Sequence, residues 1–186
     1  MDDWDKKRDV LQRYNLTAKL YNMRYRDEQT RKIEAVLRMI PVNFHDRVLD
    51  AGCGTGLLFD HISGKVQMIV GLDISREMLK HTKERVNNSK NAHLILADVD
   101  STPIMKGFFS FAFAFTLIQN MPSPSITLRK ITAVMMEKSN LIITGLKSIY
   151  SREELEKIIF DAGLKLIKLT SKYSKYHIAI CRNVPF

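Results

Sequence analysis

Residues 48–57 read VLDAGCGTGL, an apolar run that ends in Asp50 and turns through Gly52, Gly54 and Gly56 into a helix-like segment opening with Leu57. A buried strand turning through closely spaced glycines leaves bare backbone for a ligand to lie against. The dinucleotide fingerprint GxGxxG would need its third glycine at position 57, where Leu57 stands. The spacing is instead GxGxG behind an acid. A pyrophosphate wants helix N–H groups, whereas an acid two residues before the first glycine suits a cationic or amino-bearing ligand. Cys53, inside the turn, reads as a small residue of that turn rather than as a nucleophile.

Working outward, the stretches 47–51 (RVLDA), 68–73 (MIVGLD), 93–97 (HLILA), 109–115 (FSFAFAF) and 140–144 (NLIIT) are short and apolar, as strands covered on both faces are. Helices alternate with them. Ser75 is a plausible N-cap for a helix carrying Met78, Leu79, Thr82 and Val86, and a further helix is expected over 126–136. Ser151 and Glu154 form a capping box ahead of Leu155, Ile158, Ile159 and Ala162, with Gly163 as the stop. Strands at 165–169 and 177–181 close the chain as a hairpin around residues 170–176. Near the other end, Ile33, Val36, Leu37 and Ile40 fall at i, i+3, i+4 and i+7 and predict an amphipathic helix stopped by Pro41. The alternation predicts an α/β, Rossmann-like fold: a seven-stranded, mostly parallel sheet with helices on both faces and a C-terminal antiparallel hairpin.

The string VLDAGCGTG, followed by GLDIS at Gly71–Ser75 and LADVD at Leu96–Asp100, resembles the class I S-adenosylmethionine-dependent methyltransferases, and the likeness covers roughly residues 30–186. By that resemblance the cofactor is S-adenosyl-L-methionine. Asp50 and the backbone of Gly52, Cys53, Gly54 and Gly56 would hold its methionyl part. Asp73, with Ile74 beside it, would take the ribose hydroxyls, and Asp98 with the Val99 backbone would lie near adenine. The end of the fourth strand, with Phe115, would complete the pocket. Gln119 and Asn120 there are either substrate-orienting residues or turn-formers. The Asn-Pro-Pro-Tyr signature of enzymes that methylate nitrogens in planar substrates is absent. Tyr14, Tyr21 and Tyr25 share a helical face and resemble the Tyr-rich arm that many members fold over the cofactor, so residues 1–30 are expected as an arm over the active site and 31–186 as the catalytic domain. Packing on the sheet is the alternative for these rings.

The chain has 186 residues, is 45% hydrophobic and carries a net charge of +9, which suits one compact domain and excludes a disordered or fibrous chain. Its longest apolar stretch, 108–121, is too short and too interrupted to span a bilayer, and residues 1–10 contain no apolar secretory core, so a cytoplasmic protein without membrane contact is expected. His45, His61, His81, His93, His177, Cys53 and Cys181 have no metal-ligand spacing, and no metal is expected. After Asp161 no acid occurs, while Lys165, Lys168, Lys172, Lys175 and Arg182 follow. The hairpin turn should emerge on the ligand face, where Lys172, Tyr173, Lys175 and Tyr176 would pair phosphate contacts with stacking. That pattern predicts an RNA substrate, tRNA or rRNA. The alternatives are a small-molecule methyltransferase, or a cofactor-binding subunit that needs a protein partner, such as a small activator pairing with the apolar edge at His93–Ala97. No general base is identifiable, and no catalytic residue is named.

Overall fold

The chain was analysed as a computed structural model that describes residues 3–173 and 175–184. It opens with one long helix, α1 (Asp3–Met39), followed by β1 (Arg47–Ala51), α2 (Leu57–Ile62), β2 (Met68–Asp73), α3 (Arg76–Arg85) and β3 (Ala92–Leu96). The second half runs β4 (Phe109–Ala114), α4 (Pro124–Ala133), β5 (Met135–Leu146), α5 (Arg152–Asp161), β6 (Leu164–Thr170) and β7 (Tyr176–Asn183). The strands form one sheet in the order β3-β2-β1-β4-β5-β7-β6. All neighbours pair in parallel except β7, which runs antiparallel to both β5 and β6. This is the expected Rossmann-like sheet with its C-terminal hairpin.

Apolar runs without polar alternation mean burial on both faces, and each face carries its own core. On one, Leu128 and Ile131 of α4 and Leu155 and Ile159 of α5 pack against Leu49, Ala112 and Leu141. On the other, Ile33 and Val36 of α1, Leu58 and Phe59 of α2 and Leu79 of α3 pack against Val48, Ile69 and Phe113. Both expected caps form: the Ser75 hydroxyl accepts from the Met78 N–H at 3.1 Å, and Ser151 with Glu154 makes the reciprocal capping box.

Two elements differ from the sequence expectation. Residues 1–30 and the helix foreseen from residue 31 are parts of a single element, because no glycine or proline interrupts the chain before Pro41 and the helix runs unbroken from Asp3 to Met39, roughly 55 Å. The helix expected over 126–136 ends at Ala133. Met135 already pairs with Phe109, and a register shift, with Lys138 at φ 58°, carries β5 on to the Asn140–Phe111 pairing. Helical periodicity cannot mark such a bulge in advance, since it is made by the neighbouring strand.

Candidate functional site

β1 delivers the chain to the carboxyl-end edge of the sheet, where the N–H groups of Gly52 and Cys53 both donate to the Leu72 carbonyl, at 2.8 and 3.1 Å. Gly52, Gly54 and Gly56 all have left-handed φ, at 73°, 56° and 77°. Their surroundings separate their roles. A Cβ on Gly56 would stand 2.5 Å from Thr82 Cγ2, so this glycine lets α3 pack close and does not line a cavity. A Cβ on Gly54 would meet nothing within 4 Å, because Gly54 borders an open cavity. The Asp73 carboxylate accepts from the Gly54 and Ser75 N–H groups, both at 2.8 Å, which fixes its oxygens at the cavity wall. Burial pushes its pKa up against those two bonds. Asp50, 3% exposed, has no hydrogen-bond partner among the described residues. Burial, helped by the charge of Asp73, raises it to about 8. Such an acid is poised to ionise when a cation arrives.

α1 roofs this edge and is tied down along its length. Lys7 Nζ donates to Asp98 at 2.6 Å and to Asp100 at 2.5 Å, Asn15 meets the Ser75 hydroxyl at 2.6 Å, and Asn22 meets the Thr55 hydroxyl at 2.7 Å. Burial of Lys7 opposes its charge, but the bonds and charges of Asp100 and Asp98 outweigh that and raise its pKa. Tyr14 and Tyr21 point inward, their rings 6.2 Å apart, and burial raises the Tyr21 hydroxyl further from ionisation. Beneath this roof lies a cavity bounded by Tyr14 and Tyr21 above, by Gly52, Gly54, Asp73 and Ile74 on one side, and by Asp98, Val99, Phe115 and Asn120 on the others. A smaller adjoining recess brings Asp50 and Cys53 together with Tyr21 and Gln29. The Cys53 thiol is pushed up by burial, which suits a packed turn residue and not a nucleophile.

The end of β4 is held with unusual care. Thr116 has φ 55°, a strained value for a β-branched residue. Its N–H donates to Thr144 Oγ1, its hydroxyl accepts from Lys32 Nζ and its carbonyl accepts from Asn120 Nδ2, each at 2.9 Å. Lys32 is 1% exposed, lies 4.7 Å from the Tyr176 ring centroid and also donates to Gln29 at 3.1 Å. Burial lowers its pKa to about 8. Asn120 further donates to the Tyr14 hydroxyl at 3.1 Å, which ties the roof to the strand end.

Several expected site residues stand elsewhere. Gln119 does not line the cavity, and its Oε1 is buried without a partner. The hairpin turn joins β6 to β7, and Lys172, Tyr173, Lys175 and Tyr176 do not line the cavity. Ser174 within the turn lies outside the described residues. Lys175 pairs with Glu28 of α1 at 2.7 Å, Tyr173 stacks on Tyr176 at 5.3 Å, and Tyr176 is buried as the first residue of β7. Of the four, only Lys172 is exposed with no charged partner among the described residues. Conversely, the sequence reading passed over Lys7, Gln29 and Lys32. A signal for Lys7 was present, since Lys7, Tyr14 and Tyr21 recur at intervals of seven and so share one face of a helix.

The family described as a methyltransferase domain matches residues 48–138, the stretch that contains the glycine turn, Asp73, Asp98 and the end of β4. The chain has the fold of the class I S-adenosylmethionine-dependent methyltransferases, and its central half matches their methyltransferase domain. Among curated relatives, a malonyl-[acyl-carrier protein] O-methyltransferase of Marinomonas sp. is 29% identical over 86% of this chain and 59% of that protein. A ribosomal RNA small subunit methyltransferase A of Levilactobacillus brevis is 24% identical over 95% of the chain and 60% of that protein. The chain therefore spans less than two thirds of the length of these relatives. Among solved structures, a putative methyltransferase of Haloferax volcanii, seen in complex with the Trm112 methyltransferase activator, superposes with a TM-score of 0.82 at 15% identity, over 92% of this chain and 98% of that one. S-adenosylmethionine is the cofactor of this methyltransferase fold. Among the described residues no group of His, Cys, Asp or Glu is arranged to hold a metal ion, and no helix is long and apolar enough to cross a membrane.

Proposed function

We propose that the protein methylates a small acceptor, or the small end of a carried one, from S-adenosylmethionine bound in the roofed cavity. The observation that carries this reading is the roof itself. α1 crosses the carboxyl-end edge and roofs a partly open cavity whose walls are largely apolar, Val10, Met78, Leu117 and Met121 among them, with Asp73, Asp98, Thr116 and Asn120 as polar points. Roofed, largely apolar cavities with a limited set of placed polar groups suit small ligands. The expected RNA surface has less support, because Tyr176 is buried and Lys175 is neutralised by Glu28.

The residues present fit the cofactor. Gly54 leaves a cradle that a side chain would fill, and Asp50 is a buried acid with no hydrogen-bond partner among the described residues. In this reading Asp50 and the Gly52–Gly54 backbone receive the methionyl amino end, the pinned Asp73 carboxylate accepts the ribose hydroxyls, and Asp98 with the Val99 backbone borders adenine. Lys7 is already bonded to Asp98 and so closes that end. When bound, the cofactor supplies an activated methyl group for in-line displacement. The chain's own contribution is alignment and exclusion of water. Tyr14 and Tyr21 cover the reacting region, and Asn120, whose Nδ2 donates to Thr116 and Tyr14 while its Oδ1 accepts from Arg13, fixes the roof to the strand end beside it. The relative from Marinomonas is named for O-methylation of malonyl-[acyl-carrier protein], and a carboxylate acceptor is already ionised at neutral pH, so it requires no general base.

A radiolabelled methyl-transfer assay on metabolite, acyl-carrier and RNA fractions tests the reading. Label in small or carrier-bound acids supports it. Label in RNA alone would instead favour the activity named for the Levilactobacillus relative, in keeping with the net charge of +9. A partner-dependent activity has one supporting observation: β3 is an edge strand, with His93 and Leu96 exposed. Label transfer only after addition of an activator protein would support that form.

A further inference from the structure

The inner face of α1 roofs the cavity, and its outer face has no role in that reading. Leu16 and Met23 are 83% and 82% exposed and Leu20 is 41% exposed. Their spacing, i, i+4 and i+7, places them within an arc of roughly 60° on the side of the helix opposite Lys7, Tyr14 and Tyr21. They form two turns of a d-a-d seam, the pattern by which one helix packs along another. In that register Lys19, Arg24 and Arg26 occupy the flanking g, e and g positions. All three are exposed, and none has an ion-pair partner among the described residues. Between Asp9 and Asp27 the helix contains no acid at all.

We propose that this outer face docks an acidic amphipathic helix of a partner protein, which then lies across the roof of the cofactor cavity. The charge pattern sets the sign of the partner, since flanking positions of one sign select the opposite sign across a helical interface. The apolar seam sets its class. A polyanion needs the three cations but has no use for Leu16, Leu20 and Met23. A lipid surface wants a wider apolar face than a narrow seam provides. The proposal does not depend on which acceptor is methylated.

The test uses a fluorescent designed peptide of about four heptads, with Leu at a and d and Glu at e and g, so that repulsion keeps it from pairing with itself. Anisotropy titration against the whole protein should give saturable binding that weakens with salt. The Leu16→Ser, Met23→Ser double variant and the Lys19→Glu, Arg24→Glu, Arg26→Glu triple variant should each weaken it tenfold or more. Both should bind S-adenosylhomocysteine as the parent does, which shows that the roof and cavity are intact. A peptide with Lys at e and g should not bind. The proposal is overturned if the acidic peptide fails to bind, or if it binds both variants like the parent. It is also overturned if only the charge variant loses binding, which marks a site for polyanions, or if phosphatidylglycerol vesicles take up the protein and the peptide does not displace them.

Discussion

If the amino group of the cofactor docks on Asp50, binding of S-adenosylhomocysteine must release a proton near neutral pH. Asp50 is buried beside Asp73 and titrates at about 8, so at pH 7 roughly nine molecules in ten hold it protonated. A charged amino group is best received by the carboxylate, so about 0.9 proton should leave on binding at pH 7, and affinity should rise up to about tenfold per pH unit between pH 6 and 7.5. Because the folded pKa lies above the ordinary carboxylate value of about 4, the contribution of Asp50 to folding is complete below that value and is lost as pH rises toward 8. At about 1.4 kcal/mol per pH unit, the cofactor-free protein loses on the order of 5 kcal/mol over that span. Calorimetry at pH 7 in phosphate and in Tris, whose ionisation heats differ, measures the released proton directly. Asp50→Asn should abolish most of the release, flatten the pH slope and raise the cofactor-free melting temperature at pH 8. Equal binding heats in the two buffers, or an unchanged slope in Asp50→Asn, would refute the placement of the amino group.

Asp73→Ala should weaken S-adenosylhomocysteine binding by about 1–3 kcal/mol, the range for leaving buried hydrogen-bonding groups unpaired; titration calorimetry on the folded variant checks it. Gly54→Ala should still fold, at a cost of about 1 kcal/mol from its φ of 56°, but should lose cofactor binding because its Cβ enters the cavity. Gly56→Ala should do the opposite, failing first in a thermal melt by about 2 kcal/mol or more, since its Cβ meets Thr82 at 2.5 Å. Lys7→Met should cost about 2–3 kcal/mol through the two unpaired carboxylates it leaves, with faster amide exchange confined to the first half of α1.

Much of the architecture was legible because it is written in local chemistry. The runs at 47–51 and 68–73 begin and end where β1 and β2 do, since strands covered on both faces are apolar except where an acid such as Asp50 or Asp73 stands at the ligand edge. The capping serines at 75 and 151 likewise satisfy backbone N–H groups within three residues of themselves. The acid and glycines of the turn announced a ligand-bearing edge for the same reason, because glycine adopts left-handed φ without strain and leaves room for a close approach.

What the tertiary structure decided concerns residues whose partners lie far along the chain. Gly54 and Gly56 are chemically identical in the sequence, and only the packing of α3 makes one a cavity wall and the other a helix contact. Lys175 and Tyr176 looked like a displayed basic and aromatic pair until α1, more than a hundred residues earlier, supplied Glu28 and Lys32 to cover them. The sequence placed Lys7 on the helix face of Tyr14 and Tyr21, but its role as an ion-pair partner came only with Asp98 and Asp100. Local free energy can select a strand, a cap or a turn. Which charges are neutralised, which rings are buried and which glycine faces empty space depends on where the sheet order and one long helix carry them.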